Sequence, residues 1–391
     1  MKRLLVNVFA IDVARGMARV TLSWAMLQGY GAYGVSAVVL LISVGQFLGA
    51  LGAGHLTDRF SRAKLAREAS WIGGIGFLSI GIAFATRQEG VFVIGALAFV
   101  TYVLLAVHDN AIRTLIPSIV SSHEIERANG HFITAGEIGS FCGPAVAGWL
   151  VAAYGAQAVI LLAAASCLIA AATIRRLKVQ TERIALPGER NGSDLKYLNV
   201  GFFKANSWLG FGLVLAVLAN ILVVPISLVL VPIRIKEVGF GAMELGYFYA
   251  ALSMGFAASG VFWTQKLWTR IGDLRLAAFL AAGSMVYLLT SYFNLMPLIL
   301  ICGAAAGFFL AKFEISWNSL LQTRIDSGLL GRVYGLGSWT SFGGRTLGVA
   351  AVGSVTSLIG VQATTFGLIV CLLLAVLIVV ALGQVKSAQM E

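Results

Sequence analysis

Long runs of apolar residues, separated by short polar segments, extend along almost the whole chain. A transmembrane helix needs about 20 consecutive apolar residues, whereas a transmembrane β-strand alternates apolar and polar positions. The pattern therefore predicts an all-α integral membrane protein. Its twelve predicted transmembrane helices, called spans 1 to 12, lie at residues 4–27, 33–57, 68–86, 91–116, 129–153, 156–177, 206–232, 244–264, 274–293, 296–318, 333–357 and 361–383.

Composition excludes a water-soluble protein. Of the 391 residues, 59% are hydrophobic and 12% are charged, and the mean hydropathy is +0.88. A soluble domain carries about 25% charged residues and could not bury this much apolar surface. A soluble enzyme is therefore excluded. The four cysteines and four histidines show no metal-ligand spacing, so we expect neither a metal centre nor another cofactor.

The positions of the cations predict the orientation of the chain. Lysine and arginine concentrate in cytoplasmic loops. If the N-terminus is cytoplasmic, twenty of the 28 Lys and Arg residues lie on the cytoplasmic side, and only Arg87, Arg234 and Lys236 lie outside. Both termini are therefore predicted to be cytoplasmic. The net charge of +11 then reflects membrane topology, and we expect no nucleic-acid partner.

A polar stretch at residues 178–205 divides the chain in the middle. It predicts a cytoplasmic linker between an N-terminal six-helix bundle at 1–177 and a C-terminal six-helix bundle at 206–391. The loops at 58–64 and 269–275 each place arginine second and a cation seventh. The two bundles are therefore predicted to be pseudo-symmetric repeats, an architecture typical of secondary transporters.

Away from their ends, the spans contain nine charged side chains, and ionisable residues inside a membrane are functional candidates because burying them is costly. We predict that the four carboxylates couple proton movement to transport, with Asp109 and Glu314 ahead of Asp12 and Glu137. The cations, His108 and two tryptophans are predicted to bind the substrate: Arg15, Arg19, His108, Arg113, Lys312, Arg345, Trp317 and Trp339.

Structural roles for the same residues stay open at this point. The charges could form static ion pairs, with Asp12 bound to Arg15, Asp109 to Arg113 at helical i,i+4 spacing, and Glu314 to Arg345. The tryptophans could belong to the aromatic belt at the membrane surface, which we favour, or stack on an aromatic substrate.

Two segments resemble signatures of the major facilitator superfamily. Residues 54–64, GHLTDRFSRAK, are similar to the loop signature G-x-L-x-D-R-x-G-R-x-K, with Ser61 where glycine is usual. Span 5 resembles the exporter motif G-x8-G-x3-G-P-x2-G-G, with Ala147 replacing one glycine. The resemblance extends along the whole chain. It is strongest to the enterobactin-exporter-like branch, through residues 245–251 and 330–336, and second to a lysophospholipid-transporter-like branch.

The resemblance implies a monomeric transporter of the inner (cytoplasmic) membrane that works by alternating access. Spans 1, 4, 7 and 10 are then expected to line the cavity. The two signatures imply gating by the loop residues Gly54, Asp58, Arg59 and Arg62, and by the span 5 residues Gly139, Gly143, Pro144 and Gly148. Glycines allow close helix packing and Pro144 can kink its helix.

These observations predict a proton-coupled antiporter that exports a small amphipathic organic molecule, with a siderophore- or metallophore-like substrate favoured. Its partners would be that substrate, protons and membrane lipid. Multidrug efflux, lysophospholipid or other lipid transport, and divalent-metal export remain alternatives. A sensor or an intramembrane enzyme is disfavoured, because the spans contain no H-E-x-x-H or G-x-S-x-G motif.

Overall fold

The computed structural model describes residues 1–116, 119, 125–175, 202–203, 206–261, 273–325 and 327–388. Long helices dominate these ranges. They are α1 (Lys2–Arg59), α2 (Arg62–Ala85), α3 (Val91–Leu115), α4 (Ile125–Arg175), α5 (Ser207–Leu218), α6 (Val231–Glu237), α7 (Ala242–Val261), α8 (Asp273–Leu289), α9 (Met296–Arg324) and α10 (Ser327–Ala388). The predicted linker at 178–205 lies outside the described residues, except for Phe202 and Phe203.

Three of these helices are each broken by a single glycine in a conformation that other residues rarely adopt. The backbone angles φ and ψ are 62° and −152° at Gly31 in α1, 80° and 170° at Gly155 in α4, and 81° and 170° at Gly360 in α10. A side chain there would be strained although space is free within 4 Å. Each break lies between two predicted spans, so these spans follow one another with almost no connecting loop.

Seven helical segments of the described chain are long and apolar enough to cross a membrane: Lys2–Thr57, Arg62–Ala85, Val91–Leu115, His131–Arg175, Ser207–Glu237, Met296–Leu321 and Trp339–Ile378. The three that contain a glycine break have 56, 45 and 40 residues, about twice the length that one crossing needs. A helix satisfies its own backbone hydrogen bonds, so it can lie in lipid without a cost for unpaired polar groups.

The chain divides into two compact units, and the first comprises Met1–Pro187 with Pro232–Ala250. In this unit α1 packs on α3 and α4, and α2 packs on the same two helices. Apolar residues at the N-terminal end of α1 and the C-terminal end of α3, such as Leu4 and Leu115, form a fully buried cluster with Ile174 of α4. These contacts fix the rotation of α1 and so decide which of its side chains face α3.

The second unit comprises Gly188–Val231 with Ala251–Glu391. Here α8 packs on α9, while α10 packs on α5, on α8 and on the two π-helical segments that follow α5. Gly255 of α7 lies against the backbone of Ala304 in α9, and Gly307 of α9 lies against the backbone of Leu252. Small residues permit such close packing, which holds helices together in lipid.

Span 7 differs from the single regular helix that its apolar run predicts. Two π-helical segments, Ala219–Val223 and Ile226–Leu230, interrupt it on either side of Pro225. Proline lacks the N–H that the regular helical bond needs, and π-helical turns are a common result of such a disruption. Gly348 of α10 lies directly against the backbone of Ile221, inside the first of these segments.

We expect Gly360→Ala to lower the stability of the protein by about 1–3 kcal/mol, because alanine would be strained at this positive φ. The matched control is Gly367→Ala in the same helix, where a Cβ also has free space but φ is not positive. Alanine there should leave stability unchanged or raise it slightly. Thermal unfolding of the purified protein measures both effects, and equal melting temperatures for the two variants would contradict the strain argument.

Candidate functional site

A partly buried arginine joins two carboxylates from different helices. One guanidinium nitrogen of Arg15 on α1, Nη1, donates to Asp12 Oδ1 at 3.2 Å. The other, Nη2, donates to Asp109 Oδ1 on α3 at 2.6 Å and to the carbonyl oxygen of Leu105 at 3.0 Å. Charge-assisted hydrogen bonds are among the strong ones, so Arg15 ties α1 firmly to α3.

The carboxylates of this cluster differ in their exposure. The exposed fraction of the side chain is 20% for Asp12, 18% for Arg15 and 41% for Asp109. Both side-chain contacts to the Asp109 carboxylate use Oδ1, and Oδ2 makes no polar contact within the described part of the chain. Asp109 is therefore the most exposed of the three side chains, and its Oδ2 is not used by Arg15 or His108.

His108 extends the cluster into the protein interior. Its Nδ1 lies 3.3 Å from Asp109 Oδ1, and its Nε2 lies 3.0 Å from Asn7 Oδ1. Asn7 in turn donates from Nδ2 to the carbonyl oxygen of Ala170 on α4 at 2.9 Å. His108 is 1% exposed and Asn7 is fully buried. An unbroken series of polar contacts therefore connects α1, α3 and α4.

The charges of the cluster do not balance when both carboxylates are ionised. One guanidinium, on Arg15, then faces the two carboxylates of Asp12 and Asp109, which leaves one net negative charge if His108 is neutral. Uncompensated charge is costly in a buried site. A single added proton removes the imbalance, so the arrangement is chemically suited to bind one.

The sequence identifies most of this site but not all of its pairs. Asp109 contacts Arg15 and His108, while the Arg113 guanidinium lies over the ring of Phe132, 5.8 Å from its centroid. The Asp109–Arg113 pair that helical spacing suggests is therefore wrong. Asn7 was missed as well, although an amide inside an apolar run was a signal that could have found it.

Arg19 lies one helical turn beyond Arg15 and contacts an aromatic ring. Its guanidinium carbon is 5.6 Å from the ring centroid of Tyr249 on α7, a cation–π distance. Tyr249 is 1% exposed. No pattern in the sequence singles out Tyr249, because the contact depends on how α7 packs against α1.

The glycines of span 5 face α1 along one closely packed line. A Cβ on Gly139 would lie 2.7 Å from the carbonyl oxygen of Phe9, and one on Gly143 would lie 2.5 Å from that of Val13. Pro144 lies inside α4. A Cβ on Gly16 of α1 would lie 2.5 Å from the Cδ of Pro144. Side chains larger than hydrogen would therefore force α4 away from α1.

The same line continues to α7 through two glycines that face each other. A Cβ on Gly148 would lie 2.6 Å from the carbonyl oxygen of Ala242 and 2.9 Å from the Cα of Gly246. A Cβ on Gly246 would lie 2.6 Å from the carbonyl oxygen of Pro144. The structure thus brings the four predicted span 5 residues into one surface, which we call the glycine seam.

The loop signature lies at the end of α1 and the start of α2. Gly54 and Asp58 lie in the last turns of α1, but the side chain of Asp58 is outside the described residues. Arg59 is exposed, and Arg62 Nη1 donates to the carbonyl oxygen of Thr114 near the end of α3 at 2.9 Å. Ser61, which replaces the usual glycine, accepts from the backbone of Lys64 and caps α2.

The predicted site residues of the second unit lie on α9 and α10. Lys312 is 3% exposed, donates from Nζ to the carbonyl oxygen of Ser259 at 3.0 Å, and lies 5.2 Å from the ring centroid of Phe308. The Arg345 guanidinium carbon lies 5.4 Å from the ring centroid of Phe342. Buried Lys312 therefore has a carbonyl and an aromatic ring as neighbours.

The remaining predicted residues differ in burial. Trp317 is 8% exposed, with its ring against Gly212 and 6.3 Å from that of Trp208. Trp339 is 53% exposed, and both Glu314 on α9 and Glu137 on α4 are exposed. Across the described ranges, no group of three or more His, Cys, Asp or Glu side chains could hold a metal ion.

Apolar helices of membrane-crossing length, closely packed through glycine, with a charge cluster buried between them, define a multi-pass membrane protein of the transporter class. The sequence profile of the Major Facilitator Superfamily matches residues 4–349, and the chain belongs to that family. It is therefore a membrane transporter and not an enzyme.

Known relatives and solved structures agree with this assignment. The enterobactin exporter EntS of Escherichia coli O1:K1 / APEC is 27% identical over 372 residues, which cover 92% of this chain and 87% of the relative. A D-xylose–proton symporter shares the fold at a TM-score of 0.74 and 11% identity, covering 97% of this chain and 95% of its own. The nucleoside transporter NupG matches at a TM-score of 0.71 and 14% identity, and the match covers 97% of this chain and 98% of NupG.

We expect Gly148→Ala and Gly246→Ala each to destabilise the protein by about 1–3 kcal/mol, because a Cβ at either position overpacks the glycine seam. Once α4 and α7 have separated, the second methyl group costs less, so the double variant should lose less stability than the sum of the two. Thermal unfolding of all three variants measures this coupling. Gly52→Ala, where a Cβ meets nothing within 4 Å, is the control. Strict additivity would contradict a shared contact.

Proposed function

We propose that this chain is a proton-coupled antiporter that exports a small amphipathic organic molecule by alternating access. In this proposal it crosses the inner (cytoplasmic) membrane twelve times, as a monomer with both termini in the cytoplasm. Two six-helix bundles at 1–177 and 206–391 flank the cytoplasmic linker at 178–205. The glycine breaks in α1, α4 and α10 support the span count, since each separates two segments of membrane-crossing length.

The observation that carries the proposal is the open oxygen of Asp109 in a charge cluster that lacks one positive charge. Oδ1 is held by Arg15 and His108, whereas Oδ2 is free to accept either a proton or a hydrogen-bond donor of the substrate. A protonated Oδ2 repels such a donor, and a bound donor excludes the proton. Mutual exclusion of two ligands at one site is what exchange transport needs.

Other ionisable residues take supporting roles in this proposal. Asp12 shares Arg15 with Asp109, so protonation of one carboxylate changes the hold of Arg15 on the other. Glu314 and Glu137 are further proton carriers. Arginine presents a planar fork that suits carboxylate, phosphate or catecholate groups. We therefore assign substrate binding to Arg15, Arg19, His108, Arg113, Lys312, Arg345, Trp317 and Trp339.

Gating in the proposal uses the two signature segments. The glycine seam, with Gly139, Gly143, Pro144 and Gly148, allows α4 to slide or bend against its neighbours without side-chain collisions. Gly54, Asp58, Arg59 and Arg62 form the cytoplasmic gate. The hydrogen bond from Arg62 to Thr114 supports this role, because it connects the signature loop to the helix that carries Asp109.

A siderophore- or metallophore-like molecule is the substrate class that we propose. The support is the similarity to enterobactin exporters over 92% of the chain, at 27% identity. Such molecules combine apolar scaffolds with several hydroxyl donors, which fits a carboxylate that accepts and arginines that bind oxygen anions.

Asp109→Asn tests the coupling mechanism. We expect it to abolish efflux driven by a pH gradient in proteoliposomes, because an amide cannot take up a proton. Glu89→Gln, an exposed residue between α2 and α3, is the control and should leave transport unchanged. Gel filtration and thermal unfolding establish that both variants are folded. Normal proton-driven efflux by folded Asp109→Asn would refute the role of Asp109.

Metabolite profiling of a deletion strain under iron limitation tests the substrate class. We expect a chelator to accumulate inside the cells and to return to the medium when the gene is restored. Restoration with Asp109→Asn should fail, which connects the phenotype to transport by this protein. Unchanged chelator secretion together with altered lysolipid uptake would instead favour lipid transport.

A further inference from the structure

The contacts of His108 determine which of its ring nitrogens can gain and lose a proton. Asn7 Nδ2 donates to the carbonyl oxygen of Ala170 at 2.9 Å, and a carbonyl can only accept. A reversed amide would place two acceptors against each other. The Asn7 side chain is therefore fixed with Oδ1 directed at His108.

The orientation of Asn7 fixes one proton on the histidine. An amide oxygen only accepts, and it lies 3.0 Å from His108 Nε2. Nε2 must therefore carry hydrogen whatever the charge of the ring. Because both side chains are almost completely buried, water cannot substitute for this hydrogen bond without a cost.

The other ring nitrogen, Nδ1, is then the one that exchanges a proton. It lies 3.3 Å from Asp109 Oδ1, which also accepts from Arg15 at 2.6 Å. If both Nδ1 and the carboxylate lack a proton, two lone pairs face each other. One proton between them removes this repulsion. Arg15 stabilises the carboxylate form of Asp109, which favours placing that proton on Nδ1.

The surrounding charges favour the same state. Asp109 on α3 contacts the ring directly, Arg15 and Asp12 on α1 are connected to it through Asp109, and the carbonyl of Ala170 on α4 is connected to it through Asn7. With His108 doubly protonated, two positive charges balance two carboxylates. A balanced cluster costs less in a buried site than one with a net charge.

We propose that His108 Nδ1 stores the coupling proton, that Asp109 passes it between the cavity and the ring, and that Asn7 is the positioning residue that keeps the other ring proton on Nε2. A proton taken up at Asp109 Oδ2 reaches the ring when the carboxyl group turns this oxygen toward Nδ1; the O–H bond then breaks as the Nδ1–H bond forms, which leaves a carboxylate and an imidazolium. This inference rests on the proposed function, gives His108 a role in proton storage in place of substrate binding, and confines exclusion of the substrate to the step in which Asp109 holds the proton.

Nitrogen NMR of the full-length protein in nanodiscs, with 15N-labelled histidine, tests the proton positions without transport. His108→Gln identifies the His108 signals among those of the four histidines. We expect neutral His108 to carry its proton on Nε2 and to gain the second one on Nδ1 as the pH falls. A neutral form with its proton on Nδ1 would overturn the proposal, and this measurement needs no variant of Asn7.

Asn7→Leu removes the acceptor for Nε2–H and keeps the same branched heavy-atom skeleton, whereas Asn7→Asp keeps an acceptor. In Asn7→Leu the neutral ring can place its proton on Nδ1, toward Asp109, so the Nδ1–H form should appear in the NMR spectrum of the neutral ring. Asn7→Asp should retain the Nε2–H form. The pH profile of substrate efflux should change together with the NMR spectrum in Asn7→Leu, with little change in KM.

The outcomes separate this inference from the proposed function. An unchanged NMR titration and pH profile in folded Asn7→Leu would overturn the role of Asn7. If the NMR spectra change as expected but efflux by the wild-type protein does not depend on the pH gradient, the proposed proton positions are supported and proton-coupled export is refuted. Loss of efflux in Asn7→Leu without any pH shift would mean that Asn7 is merely structural, which also overturns the inference.

Discussion

The guanidinium of Arg15 is the interaction on which the first unit depends. A cation between apolar helices is stable only when its partners surround it, and here they come from both α1 and α3. Asp12, one of these partners, also borders the glycine seam: a Cβ on Gly136 would lie 2.9 Å from its Oδ2, and one on Gly139 would lie 3.0 Å from its Cβ. The charge cluster and the glycine seam are therefore neighbours, and the carboxylate that shares Arg15 with Asp109 packs directly against α4.

The apolar runs were sufficient to predict an all-helical membrane protein, because apolar character is a local property, whereas the count of twelve spans stays a prediction. Glycines at 31, 155 and 360 lie where the predicted spans meet. The partners of Asp109 could not be predicted in this way. Helical spacing identifies possible neighbours within one helix, such as Arg113. Arg15 and Asn7 lie on another helix, α1, and whether they face Asp109 depends on how α1 is rotated about its axis. The π-helical turns of span 7 could not be predicted either. An apolar run indicates a helix, but it does not distinguish an α-helical from a π-helical hydrogen-bond pattern.

The fold itself does not specify what is carried. A D-xylose–proton symporter and a nucleoside transporter share this architecture at 11% and 14% identity, so the helices form a common frame and the side chains inside it select the cargo. In the first unit, a continuous polar path runs from partly exposed Asp109 through His108 and Asn7 to the backbone of α4. In the second unit, Lys312 donates to a carbonyl and lies near an aromatic ring.

The glycine breaks also affect how the protein enters the membrane during synthesis. Residues 28–34, 152–158 and 357–363, which surround Gly31, Gly155 and Gly360, contain no charged side chain. Two helices joined in this way can insert together as a hairpin, and the small uncharged tip crosses the bilayer at little electrostatic cost. A pair of helices joined in this way therefore has no charged side chain at its tip that would oppose insertion as one hairpin.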